Sequence, residues 1–119
     1  MSNGFSTAMN ENIAAEERNF GPQRIGAIMD AWGLSNHDMV LAADWEQLTH
    51  KQVQRARSGR RLTLAMMQKI TRVLNTAALA KLDEQAAESF TPYMHRELFS
   101  YAKGHPADWQ DPNSALYPR

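Results

Sequence analysis

The sequence predicts an all-α fold, a compact four- to five-helix bundle with a further C-terminal helix and flexible termini. Apolar residues between Gln23 and Asn75 recur every three or four positions, which lays one hydrophobic stripe along each helix. Ser35, Thr49 and Thr63 precede such stripes as N-caps, and Gly33 and Gly59 follow them as stops. No β-type alternation of useful length, internal repeat or low-complexity tract breaks the pattern.

The elements follow in order. Residues 1–20 mix Ser, Asn, Gly and Glu with few large apolar side chains, so a flexible N-terminal arm is expected there. Pro22 suits the first turn of a first helix, whose stripe is Ile25, Ile28, Met29 and Trp32 and whose stop is Gly33. Ser35 caps a second helix, Asn36 to Ala43, with Asp38 in a capping-box-like position and Met39, Val40 and Ala43 facing inward. Asp44-Trp45-Glu46-Gln47 then forms a connection, in which Trp45 either folds back onto the core or stands exposed.

Thr49 caps a third helix that runs to about Arg57, anchored by Val53 and Ala56 and stopped by Gly59. Thr63 opens a fourth, where Leu64, Met67, Ile70, Val73 and Leu74 give the strongest periodic signal and Asn75 suits a left-handed helix end. Leu79, Leu82 and Ala86 suggest a fifth helix reaching Ser89 or Phe90. Thr91-Pro92 reads as the start of a sixth, lined by Met94, Leu98, Tyr101 and Ala102 and stopped by Gly104. The expected organisation is an arm at 1–20, a helical domain at 21–90, a C-terminal helix at 91–103 and a flexible tail at 104–119.

Composition narrows the function. A chain of 119 residues with 43% hydrophobic content fits one domain. Apolar runs are too short to span a membrane, and residues 1–12 carry no secretory pattern, so a cytoplasmic location is expected. The absence of cysteine removes disulfides, thiolate metal sites and thiol catalysis. No Gly-rich phosphate loop, nucleophile elbow or H-E-x-x-H pair occurs, so neither an enzymatic role nor a cofactor is expected. The four histidines, His37, His50, His95 and His105, share no spacing that sets two on one helical face, so no metal site is expected either.

Thirteen basic residues balance thirteen acidic ones, yet the charges are segregated along the chain. Between Ile25 and His50 the charged residues, histidines aside, are Asp30, Asp38, Asp44 and Glu46, whereas Lys51 to Lys81 holds eight Lys or Arg and no acid. A cationic run that forgoes its own salt bridges is the kind that condenses onto phosphates. Burial of Val53 and Ala56 would turn His50, Lys51, Gln54 and Arg55 outward with Gln52 and Arg57 beside them, and Arg60, Arg61, Lys69 and Arg72 would extend the charge.

The run Leu48-Thr49-His50-Lys51-Gln52-Val53-Gln54-Arg55-Ala56-Arg57-Ser58-Gly59-Arg60, followed by the Thr63-capped helix, resembles the second half of the Cro repressor type of helix-turn-helix domain. It is also similar to short bacterial helical proteins of unassigned function. The resemblance implies a five-helix fold whose third helix enters the major groove of double-stranded DNA. On that basis His50, Lys51 and Arg55 would face bases, Gln52, Ser58, Arg60 and Arg61 would lie near the backbone, and Gln54 could serve either purpose. Phosphate contacts would come from Arg57, Arg60, Arg61, Lys69 and Arg72. The connection from Met39 to Thr49 is longer than the family pattern by about three residues.

A DNA-binding protein, serving transcription regulation, is therefore the expected function. The alternative is a protein-protein interaction module whose basic edge meets an acidic partner. A homodimer through Pro92 to Lys103 is expected from the apolar face of the sixth helix, as such repressors pair to span two half-sites.

Overall fold

The structure, a computed structural model, describes residues 19–101 and 108–118. Every regular element among them is helical. Most of the expected arm, and Ala102, Lys103 and His105, fall outside the described residues, as does the side chain of Trp45.

The first four helices are α1 (Arg24–Ala31), α2 (Asn36–Ala43), α3 (His50–Ser58) and α4 (Leu64–Leu79). Local chemistry sets their starts. Ser35 Oγ accepts from the Asp38 amide at 3.0 Å and the Asp38 carboxylate accepts from the Ser35 amide at 2.8 Å, which satisfies two amides at the start of α2. Those hydrogen bonds hold the Asp38 carboxyl below its ordinary pKa. Thr49 and Gln52 form the same reciprocal pair at the start of α3. Thr49→Ala is expected to lower unfolding free energy by about 1 kcal/mol in urea denaturation. An unchanged midpoint would show that this cap does not hold α3.

α2 packs on both α3 and α4, and α1 packs on α3. Their shared core is Ile25, Met29, Trp32, Met39, Val53, Ala56, Ile70 and Leu74, all fully buried. Most of the stripe residues predicted for the first four helices meet in this core, but Leu64, in the first turn of α4, is 53% exposed, and Val40 and Met67 are only partly buried. Arg60 sits on the turn after α3, which the incoming chain pins: the Phe20 amide donates to the Gly59 carbonyl at 2.9 Å, and Asn19 pairs with Arg60.

Beyond Leu74 the structure corrects the expectation. Asn75 does not end α4. Its side chain clamps the backbone of Tyr93, with Oδ1 accepting from the Tyr93 amide at 2.8 Å and Nδ2 donating to its carbonyl at 3.1 Å. The helix continues because Ala77 and Ala78 are buried along the same stripe. The fifth helix shrinks to α5 (Glu84–Ala87), capped by Asp83, and the sixth to α6 (His95–Leu98). Thr91 and Pro92 do not start α6, since both polar backbone groups of Thr91 bond to the Asn113 side chain at 2.8 Å.

α6 packs on α4 and α1. Leu98 is fully buried and Phe99 nearly so, whereas Met94 on the same expected apolar face is exposed. The described residues of the tail do not stand away from the body. Asn113 is fully buried, the Tyr117 ring packs edge-on against Trp32 with centroids 5.6 Å apart, and the Arg24 guanidinium lies 4.1 Å over Trp109. Apolar burial and paired polar groups together order this segment.

Candidate nucleic-acid interface

The outward face of α3 is set by its two anchors. Val53 and Ala56 are both 0% exposed, and helical geometry then turns Lys51, Gln54, Arg55 and Ser58 toward solvent, where all four are exposed. Gly59, left-handed at φ +98°, reverses the chain so that Arg60 and Arg61 follow directly, both exposed. Among the described residues no carboxylate lies within 4 Å of Lys51, Arg55, Arg60 or Arg61. These four cations lie on α3 and the turn that follows it.

Three of the cations expected to extend this charge make bonds within the fold instead. Arg57 turns back into the fold, where its guanidinium meets the Asp30 carboxylate at 2.8 Å and the Asn36 side-chain carbonyl at 3.1 Å. It ties α1 and the start of α2 to α3. Arg72 pairs with Glu46 at 2.6 Å, and that hydrogen bond raises the arginine's pKa further. Lys69 donates to the Gln47 carbonyl at 2.7 Å.

Lys69 and Arg72 therefore hold the connection between α2 and α3, residues 44–49, onto α4. Gln47 lies there in a left-handed conformation at φ 54°. The long connection expected from the sequence is present as a single 3-10 turn, Asp44–Glu46, followed by left-handed Gln47, buried Leu48 and extended Thr49. The Gln52 carbonyl is occupied in the α3 cap, and Gln54 accepts from Asn36 at 3.0 Å.

His50 is exposed but not isolated. Its Nε2 lies 3.1 Å from Nδ1 of His37, a residue that sequence reasoning did not single out. The two are far apart on the helical-face criterion because they belong to different helices. A signal existed in the paired capping positions: His50 is the first residue of α3 and His37 the second of α2.

No protein-family model, curated protein or solved structure matches this chain. The site offers two long cations and an amide on one helical face, then two guanidiniums on the adjoining turn. That arrangement suits a polyanion with extended spacing, and it holds no nucleophile and base in contact. No group of three His, Asp or Glu side chains that could hold a metal occurs among the described residues.

Proposed function

We propose that the chain binds double-stranded DNA through the exposed face of α3 and the turn that follows it. The observation that carries this reading is the run of four exposed cations, Lys51, Arg55, Arg60 and Arg61, with no carboxylate in contact among the described residues. In this proposal Lys51, Gln54 and Arg55 lie along the major groove, where each good base contact contributes roughly 1–3 kcal/mol of discrimination. Arg60, Arg61 and Ser58 contact phosphates. Arg57, Lys69 and Arg72 support the site through their bonds to Asp30, the Gln47 carbonyl and Glu46. Transcription regulation in the cytoplasm is the role such binding would serve.

Four neutralised phosphates correspond to a slope of about −3 to −4 in log affinity against log salt. Fluorescence anisotropy with a random duplex at several salt concentrations should give that slope. Arg60→Ala with Arg61→Ala should reduce its magnitude by about 2 and weaken all sequences alike. A flat salt response, or a double variant with the native slope, would contradict the proposal.

A second reading is a protein partner with acidic patches. It is favoured by Asp30, exposed on its side chain by 69% beside Arg57, because a carboxylate at the edge of the ridge repels phosphate but can pair with a protein cation. Amide shifts centred on residues 50–61 upon titration with duplex DNA support the first reading. Silence there supports the second.

A further inference from the structure

We propose that His37 and His50 form a two-histidine site for a borderline divalent cation, of which Zn2+ and Cu2+ are examples. Nδ1 of His37 and Nε2 of His50 are 3.1 Å apart, with ring planes 11° from parallel. Two metal–nitrogen bonds of about 2.0–2.1 Å at angles between square-planar and tetrahedral require nitrogens roughly 2.9–3.4 Å apart. The observed separation falls inside that interval.

The backbone fixes this meeting. His37 lies in the first turn of α2 and His50 at the first position of α3, and each start is held by its own capping box. α2 and α3 pack directly on one another. Both imidazoles are exposed, so an ion can reach them and the rings can tilt to aim their lone pairs at a common point. Without metal, a proton on one of the facing nitrogens makes the contact a hydrogen bond. Ligation needs that tilt and the shift of this proton to the other nitrogen of its own ring, which leaves both imidazoles neutral and both lone pairs free for the ion.

Imidazole is a preferred ligand of Zn2+ and Cu2+, and Cu2+ stands highest in the general order of affinity. Water completes the coordination sphere in this proposal. An ion held here would join the starts of α2 and α3, and would stabilise the folded chain by mass action because the unfolded chain does not hold the two rings together. The inference stands on the histidine geometry and not on DNA binding.

The test is titration of the full chain with Zn2+, and separately with Cu2+, in a buffer that does not bind metal. Calorimetry should show one saturable equivalent, and the imidazole NMR signals of His37 and His50 should shift together ahead of those of His95 and His105. His37→Ala and His50→Ala should each weaken binding on the order of 10²-fold, since one imidazole then binds without its chelating neighbour. His95→Ala should leave it unchanged. Both replaced rings are exposed, so the core is untouched, and circular dichroism of each variant checks the fold. Absence of saturable binding overturns the site. So does native affinity in either variant, or first shifts at other histidines.

Discussion

Gly59→Ala is expected to cost about 3–5 kcal/mol of folding stability in urea denaturation, far more than an alanine at an ordinary helix end. Two effects coincide at this position. The residue is left-handed at φ +98°, a conformation that a Cβ disfavours. An ideal Cβ would also stand 1.7 Å from the Gly21 carbonyl oxygen and 2.4 Å from its carbon. Those are backbone atoms, which cannot swing aside as a side-chain tip can, so the segment of residues 19–23 must separate from the end of α3. The bond from the Phe20 amide to the Gly59 carbonyl goes with it. Gly33→Ala is the control: it too has a positive φ, at +68°, but its nearest neighbour is the flexible Lys81 Nζ at 3.6 Å. Only backbone strain of about 1 kcal/mol is expected there. Equal losses in the two variants would mean that the close approach at Gly59 does not exist. The same substitution loosens the turn that carries Arg60 and Arg61, so weaker polyanion binding should accompany it.

The parts of this fold that were legible in the sequence are those whose causes are local. Ser35 with Asp38 and Thr49 ahead of Val53 and Ala56 act within one helical turn, and periodicity aligned the stripes of the first four helices without knowledge of their neighbours. Where the sequence reading departed, the cause was a side chain acting across the fold. Asn75 was read as a helix end because asparagine tolerates a left-handed backbone, but its amide found Tyr93, 18 residues away, and α4 ran on. Arg57 and Arg72 have no acid close in sequence. Their carboxylates, Asp30 and Glu46, arrive from 27 and 26 residues upstream. The acids and cations that looked segregated along the chain are thus partly interleaved in space, and of the eight cations Lys51, Arg55, Arg60, Arg61 and Lys81 stay exposed with no carboxylate in contact among the described residues. The His37 and His50 contact was hidden for the same reason, since helical-face spacing compares residues within one helix only.

The docked tail rests on a second set of contacts between distant residues, and Asp111→Ala should remove about 3 kcal/mol through it. The Asp111 carboxylate accepts hydrogen bonds from the hydroxyls of Tyr93, at 2.6 Å, and Tyr117, while its other oxygen accepts from the Asn113 amide at 2.8 Å. Tyr93 in turn accepts from the buried Trp32 indole at 2.9 Å. Truncation leaves the nearly buried Tyr93 hydroxyl without its acceptor and frees the segment that carries Asn113. Asp111→Asn keeps an acceptor of similar shape and should lose less.

The same contacts set a pH dependence. Burial first, and then the hydrogen bond to the Asp111 carboxylate, push both phenols well above their ordinary ionisation range. In the unfolded chain they ionise near about pH 10. A group whose pKa is raised on folding contributes fully below its unfolded pKa and loses that contribution as pH climbs toward the folded one. Thermal unfolding should therefore hold its midpoint up to about pH 10 and fall above it. The decisive comparison is with Tyr93→Phe and Tyr117→Phe together. That double variant starts less stable but should fall less steeply above pH 10, because the groups that ionise on unfolding are gone. Parallel curves for the two proteins would show that the phenols and Asp111 do not carry the alkaline limit.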